Sequence, residues 1–208
     1  METISQNGGP ELVAMLRAML GDDRLYAAHR LDRDTSGAQL VAKGKDNETL
    51  LANLFRQRLV EKTYLALCLG APRNRTGTIN RNLSEWDGGR RPVRVVKKGG
   101  LTASTAYEVQ GVSDCLGGGL QCSLIAFHPR QGRTHQIRVH AAAFGYPILG
   151  DDQYGDRAGN RQAKRMFELK RQALHSWKLG FAWKGVPVAV TCPPEADMER
   201  VMEKMVFP

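Results

Sequence analysis

Long apolar runs are missing from this chain of 208 residues. None approaches the roughly 18 residues that a membrane-crossing helix needs, which excludes a protein anchored by such helices. The opening stretch, M-E-T-I-S-Q-N-G-G-P, lacks the basic flank and apolar core of a secretory signal, so a soluble, cytoplasmic protein is expected. Cysteine is scarce: Cys68, Cys115, Cys122 and Cys192 lie far apart with no C-x-x-C pair, which fits neither a disulfide framework nor a zinc ribbon. Cys68 and Cys122 fall in apolar, strand-like runs where a thiol behaves as a small hydrophobe, and all four are read as structural. Acid is also in short supply, with 21 Asp and Glu against 30 Lys and Arg, a formal charge of +9. Hydrophobic residues at 42% and charged residues at 25% exclude wholesale disorder. A basic excess on a globular composition points first to a nucleic acid and second to an acidic membrane surface. There is no internal repeat and no low-complexity tract.

Patterning predicts the elements. Residues 9–21 read as a helix, with Pro10 at its first position, an apolar stripe of Leu12, Met15, Leu16 and Met19, and Gly21 as its stop. A turn at Ser36-Gly37 leads into a strand over 38–42. Asp46 or Asn47 then caps a helix carrying Leu50, Leu51, Leu54, Phe55 and Leu59. Residues 63–69 form a buried strand. Residues 71–100 are basic and loop-like, with Arg73, Arg75, Arg81, Arg90, Arg91, Arg94, Lys97 and Lys98 and a short strand over 93–96. A hairpin over 101–110 and 120–127 precedes a helix at 134–144 capped by Thr134, and a turn at Gly145-Tyr146-Pro147. A second basic segment follows at 156–171, then strands at 178–183 and 187–192 and a helix near 195–206. Irregular alternation with hairpins predicts an α+β fold rather than a doubly wound sheet.

Two segments concentrate polar groups beyond what local structure needs: H-R-L-D-R-D-T-S-G at 29–37 and G-R-T-H-Q-I-R-V-H at 132–140. In the second, Ile137, Ala141 and Phe144 share a sheet-packing face, while His135 and Arg138 share another. Arg138, near a positive helix terminus, would stabilise an anionic carboxylate. The first segment offers Asp32 and Asp34. A carboxylate so held is suited to act as nucleophile or base.

These segments, with E-K-T-Y at 61–64, G-Y-P-I-L-G-D-D-Q-Y-G at 145–155 and L-H-S-W-K-L-G-F at 174–181, resemble the RluA-type pseudouridine synthase family over roughly residues 9–195. The resemblance implies one catalytic domain over 1–208, with a mixed, largely antiparallel sheet flanked by helices and loops. It also implies isomerisation of uridine to pseudouridine in structured ribosomal or transfer RNA, without cofactor or metal and with no obligate protein partner. Asp32 would be the essential carboxylate and Arg138 its ion-pair partner. Tyr64 would be the aromatic packing on the target base, its hydroxyl assisting loss of the C5 proton. Arg30 would displace the base from the RNA stack, with Arg133 and His135 also facing RNA. Asp34 is read as a surface or turn residue, His29 as a buried structural histidine, and Thr35, Ser36 and Gly37 as shaping the turn. The family's N-terminal strand is expected to be missing, no S4-type domain is expected, and Ala38-Gln39 replaces bulkier aliphatics. Two rivals stand beside this reading: a catalytically impaired RNA-binding relative, and a metal-dependent hydrolase using His135, His140 and Asp32.

Overall fold

The computed structural model describes residues 12–116 and 119–205, with the side chains of 114–118 left aside. In chain order the elements are α1 (Leu12–Leu20), β1 (Leu25–Ala27), β2 (Ser36–Gly37), β3 (Val41–Lys43), α2 (Lys45–Arg56), β4 (Glu61–Leu69) and β5 (Thr76–Asn80). Then follow β6 (Ser104–Leu116), β7 (Leu120–Pro129), α3 (Gln136–Phe144), α4 (Arg157–Phe167), β8 (Leu174–Trp183), β9 (Val186–Thr191) and α5 (Ala196–Met202). The main sheet runs β2-β8-β4-β7-β6-β5, with β9 added alongside β8; among the described residues the β2–β8 pair is parallel and the other pairs are antiparallel. β1 and β3 form a separate two-stranded ribbon. The expected mixed, largely antiparallel α+β architecture is thus present. Pro10 and the region of the expected missing N-terminal strand lie outside the described residues.

The sheet centre is apolar on both faces. Leu65, Ala66, Leu67 and Cys68 are consecutive in β4 and all buried, so neither face meets water there. They join Ile125 and Phe127 of β7, Ile137 and Ala141 of α3, Phe167 of α4, and Met198 and Val201 of α5 in one core. Cys68 and Cys122 lie in this core as free thiols, and burial pushes both thiols up from their ordinary values. A smaller core of Leu83, Val93, Ala103 and Val139 pins the basic stretch between β5 and β6 onto α3.

Several local expectations need correction. Ser36-Gly37 is not only a turn; it is a strand fragment laid parallel to β8. α2 begins after Gly44 rather than at Asp46 or Asn47, because the Asn47 amide donates back to the Lys43 carbonyl (2.7 Å) and Asp46 sits inside the first turn. Leu59 lies beyond that helix and is exposed. The 71–100 stretch contains β5, which presents a single buried residue, Ile79, as suits an edge strand with little apolar pattern. The strand expected at 93–96 is reduced to one bridge between Val95 and Leu83. The second basic segment is mostly helix: α4 starts where the Asp156 side chain accepts from the Gly159 N–H (2.7 Å), and it buries Gly159, Ala163 and Phe167. α3 is capped by His135 in a left-handed conformation (φ 55°) rather than by Thr134.

Gly37 fixes the loop bearing Asp32 onto the sheet. It has φ 108°, and a Cβ there would collide with the backbone of Ser176, the carbonyl oxygen first. Gly37→Ala is therefore expected to destabilise the protein by about 2–4 kcal/mol, read in urea unfolding. A loss below about 0.5 kcal/mol would show that the loop is not seated this way.

Candidate active site

The loop over 29–37 has few apolar residues of its own, so polar contacts position it. The Thr35 N–H donates to the Asp32 carbonyl (3.0 Å), closing a turn. The buried Gln172 amide donates to the Arg33 carbonyl (3.1 Å) and to the Thr35 hydroxyl (2.6 Å). His175 donates through Nε2 to the Cys192 carbonyl (2.9 Å), which leaves Nδ1 to accept from the Ser36 hydroxyl (2.8 Å). His29 accepts the Leu40 N–H on Nε2 (2.9 Å) and stacks on Phe55. Burial, then the nearby Lys62 charge, holds its pKa down to about 4. His29 is hydrogen-bonded as expected but half-buried rather than buried, and it lines the cavity described next; Thr35, Ser36 and Gly37 shape the turn, and Asp34 is an exposed turn residue with φ 66°.

This loop, the start of β4 and the lead-in to α3 enclose a cavity of about 370 Å³. Asp32, Tyr64, Arg138, Arg30, Arg133 and His135 all line it. Residues distant in sequence thus meet on one wall, and Asp32 is the only carboxylate among the described lining residues.

Arg138 is the fixed point. Its Nη1 lies 3.7 Å from Asp32, while Nε and Nη2 donate to Asp151 at 2.8 and 2.9 Å. The expected Arg138–Asp32 pair therefore exists, but the shorter, two-pronged bond goes to Asp151. Asp151 also accepts the Gln153 and Tyr154 N–H groups, each at 3.0 Å. Burial would raise the Asp151 carboxyl, but the Arg138 hydrogen bonds and charge outweigh it and hold the pKa below its ordinary value. Burial likewise works against the Arg138 charge, and Asp151 and then Asp32 more than reverse it. The outcome is a guanidinium locked on one edge, with one nitrogen free to face Asp32. Asp151 went unassigned in the motif G-D-D-Q-Y-G because nothing local couples it to Arg138.

Tyr64 offers its ring to the cavity. Burial first, and the Asp32 charge second, push its phenol up to about 12. It is therefore a neutral phenol at neutral pH. His135 is hydrogen-bonded to the Tyr154 hydroxyl (2.9 Å), and burial lowers its pKa. Arg138 lies over the same Tyr154 ring, 5.1 Å from its centre. Arg30 is exposed, 5.9 Å from the centre of the Trp86 ring, which places Trp86 of the basic 71–100 stretch beside one of the residues lining the cavity. Arg133 donates from Nε to the Thr102 carbonyl (3.4 Å).

His140 is not at this wall. One ring nitrogen is bonded to the Thr105 hydroxyl (2.9 Å) and the other to the Arg81 carbonyl (3.0 Å), so it has no lone pair to give a metal shared with His135 and Asp32. Among the described residues, no group of three or more His, Cys, Asp or Glu side chains is arranged to hold a metal ion, and no helix is long and apolar enough to cross a membrane.

Comparison with known proteins points the same way as the motifs. A ribosomal large subunit pseudouridine synthase C from Pasteurella multocida is 33% identical over 208 residues, covering 96% of this chain and 61% of its own length. The Escherichia coli protein of that name is 34% identical over 196 residues, covering 91% of this chain and 59% of its own length. The chain thus spans about three-fifths of these relatives. Among solved structures, human RNA pseudouridylate synthase domain containing 1 superposes with a TM-score of 0.74 at 30% identity, over 89% of this chain and 74% of that one. A second human structure, domain containing 4, shares the fold with a TM-score of 0.79 at 23% identity, over all of this chain and 88% of that one. The RNA pseudouridylate synthase family model matches residues 10–143, the stretch that supplies Asp32, Tyr64 and Arg138 alike, and the chain belongs to that family.

Proposed function

We propose that this protein isomerises uridine to pseudouridine in structured RNA, acting as one catalytic unit in the cytoplasm, and that ribosomal RNA is its first candidate substrate. The observation that carries this is the cavity wall: one carboxylate, Asp32, beside an oriented guanidinium and a neutral phenol. In the reaction the N1–C1′ bond breaks, the uracil departs as an anion, turns, and rejoins C1′ through C5, releasing the C5 proton. Asp32 meets the sugar, as nucleophile at C1′ or base at C2′. Arg138 holds Asp32 ionised and supplies fixed positive charge as the base leaves. Tyr64 offers its face to the uracil. The base must be unstacked first, at a cost of a few kcal/mol that phosphate contacts offset.

The 73–98 segment suits that task, since Arg73, Arg75, Arg81, Arg90, Arg91, Arg94, Lys97 and Lys98 are all exposed. In the second basic segment Arg171 drops out: it is bonded to Asp197 (2.8 Å) and to the Asp34 carbonyl (3.2 Å), holding the active loop. RNA affinity is therefore expected to fall steeply with added salt, with a log–log slope of about −0.7 to −0.9 per phosphate contacted. A flat filter-binding response between low and moderate salt would remove these residues from the RNA footprint.

The function is tested by tritium release from large-subunit ribosomal RNA and, separately, transfer RNA transcripts carrying [5-³H]uridine, with and without a chelator. Release from either confirms an isomerase and names the RNA class. No release by folded protein favours the RNA-binding relative, whereas release abolished by the chelator favours the metal-dependent reading.

A further inference from the structure

The wall of this cavity also holds a lysine that forms no ion pair among the described residues. Lys62 stands two residues before Tyr64 on β4, and both side chains line the cavity. The β4–β8 register shifts between Thr63 and Tyr64, yet both side chains line the one cavity, and two residues of a strand span about 6.6 Å, comparable with the separation between a uracil ring and the phosphate on its own ribose. The Lys62 ammonium makes one hydrogen bond among the described residues, to the Gln131 carbonyl at a long 3.4 Å. It takes part in none of the ion pairs formed by those residues.

The contrast with its neighbours is informative. Arg138 is matched by Asp151 and Asp32, whereas Lys62, like Arg30, Arg56 and Arg133 of the same lining, forms no ion pair among the described residues, and Lys62 is half-buried where Arg30 and Arg56 are exposed. Burial, and then the Arg58 charge, lower its pKa, so the site disfavours a cation left alone there. An ammonium is a compact charge with three rotatable donors, well matched to a phosphate oxygen and poorly matched to a flat base edge. Arg56, at the end of α2, lines the same cavity and adds further positive charge.

We infer that Lys62 binds a backbone phosphate of the very uridine whose base rests on Tyr64, making it a substrate-positioning residue that selects a nucleotide over a nucleoside. The inference rests on the isomerase reading for the base's place at Tyr64. Its test uses uridine, uridine 3′-monophosphate and uridine 5′-monophosphate as probes, titrated by NMR into wild type, Lys62→Gln and Lys62→Arg. One monophosphate is expected to bind wild type about tenfold more tightly than uridine, as one charge-assisted hydrogen bond provides. Lys62→Gln should lose that preference and keep uridine binding, and Lys62→Arg should retain most of it. Equal binding of all three probes to wild type, or a preference that survives in Lys62→Gln, overturns the inference. Tritium release separates the two levels: a phosphate preference without release by wild type leaves the Lys62 subsite standing and removes the isomerase, while release without the preference does the reverse.

Discussion

An Asp32→Asn protein is expected to fold, to bind RNA as the wild type does, and to release tritium on the order of 10²–10⁴-fold more slowly. The fold should survive because the turn at 32–35 uses the Asp32 carbonyl, not its carboxylate. Nor does the substitution strand a buried charge, since Arg138 keeps its two bonds to Asp151. Unfolding free energy should therefore change by less than about 1 kcal/mol. The chemistry has no such reserve: Asp32 is the only carboxylate among the described lining residues, and an amide neither attacks C1′ nor accepts the C2′ proton. Comparable rates for the two proteins would remove Asp32 from the reaction.

Asp151→Ala is expected to combine the largest stability loss with a loss of activity. The Asp151 side chain is fully buried and holds two edges of its environment, Arg138 on one side and the 153–154 backbone on the other. Removing one partner of a buried ion pair typically costs about 3–5 kcal/mol. In the remaining folded protein Arg138 would lose its anchor and turn towards Asp32, tightening a 3.7 Å approach into a closed pair that neutralises the reacting carboxylate. The pH dependence provides an independent reading. Asp151 has a folded pKa held below its unfolded value near 3.9. Its contribution to stability is therefore full above about pH 4 and is lost as pH falls through the lower folded value. The stability profile of Asp151→Ala should be flatter than that of the wild type in this acid window, and the curves should converge at low pH. Parallel profiles, with a change of under about 1 kcal/mol, would mean that Asp151 does not anchor Arg138.

Much of the site was legible because its motifs are contiguous. H-R-L-D-R-D-T-S-G and G-R-T-H-Q-I-R-V-H contain Asp32, Arg30, Arg133, His135 and Arg138, and all five line one cavity with Tyr64. What stayed hidden depends on contacts between segments. Asp151 becomes meaningful only when the loop after α3 returns its carboxylate to the helix. Lys62 stands out only once the fold half-buries it in the cavity wall without an ion pair among the described residues. In the fold, β4, β6, β7 and α2 announced themselves through apolar spacing. β5 and α4 did not, because an edge strand and a strongly basic helix each bury only a few residues. The caps of α2 and α3 defied propensity for a related reason: side-chain bonds from Asn47 and Gln136 set the local backbone. The Arg138–Asp32 pairing was foreseen, and what the sequence did not show is the tighter, two-pronged bond to Asp151 that fixes the arginine.

The central claim, that the Asp32–Arg138–Tyr64 cavity converts uridine to pseudouridine, is tested most directly by nucleoside analysis of unmodified ribosomal RNA after incubation with each protein. The RNA would be digested and its nucleosides separated and quantified for wild type and Asp32→Asn, with filter binding run on the same RNA. The expected result is pseudouridine gained one for one against uridine lost with wild type, and on the order of 10²–10⁴-fold less over the same time with Asp32→Asn despite undiminished binding. Pseudouridine formed equally by both proteins would contradict the assignment of Asp32, and none formed by a folded, RNA-bound wild type would contradict the account of ribosomal RNA as its substrate.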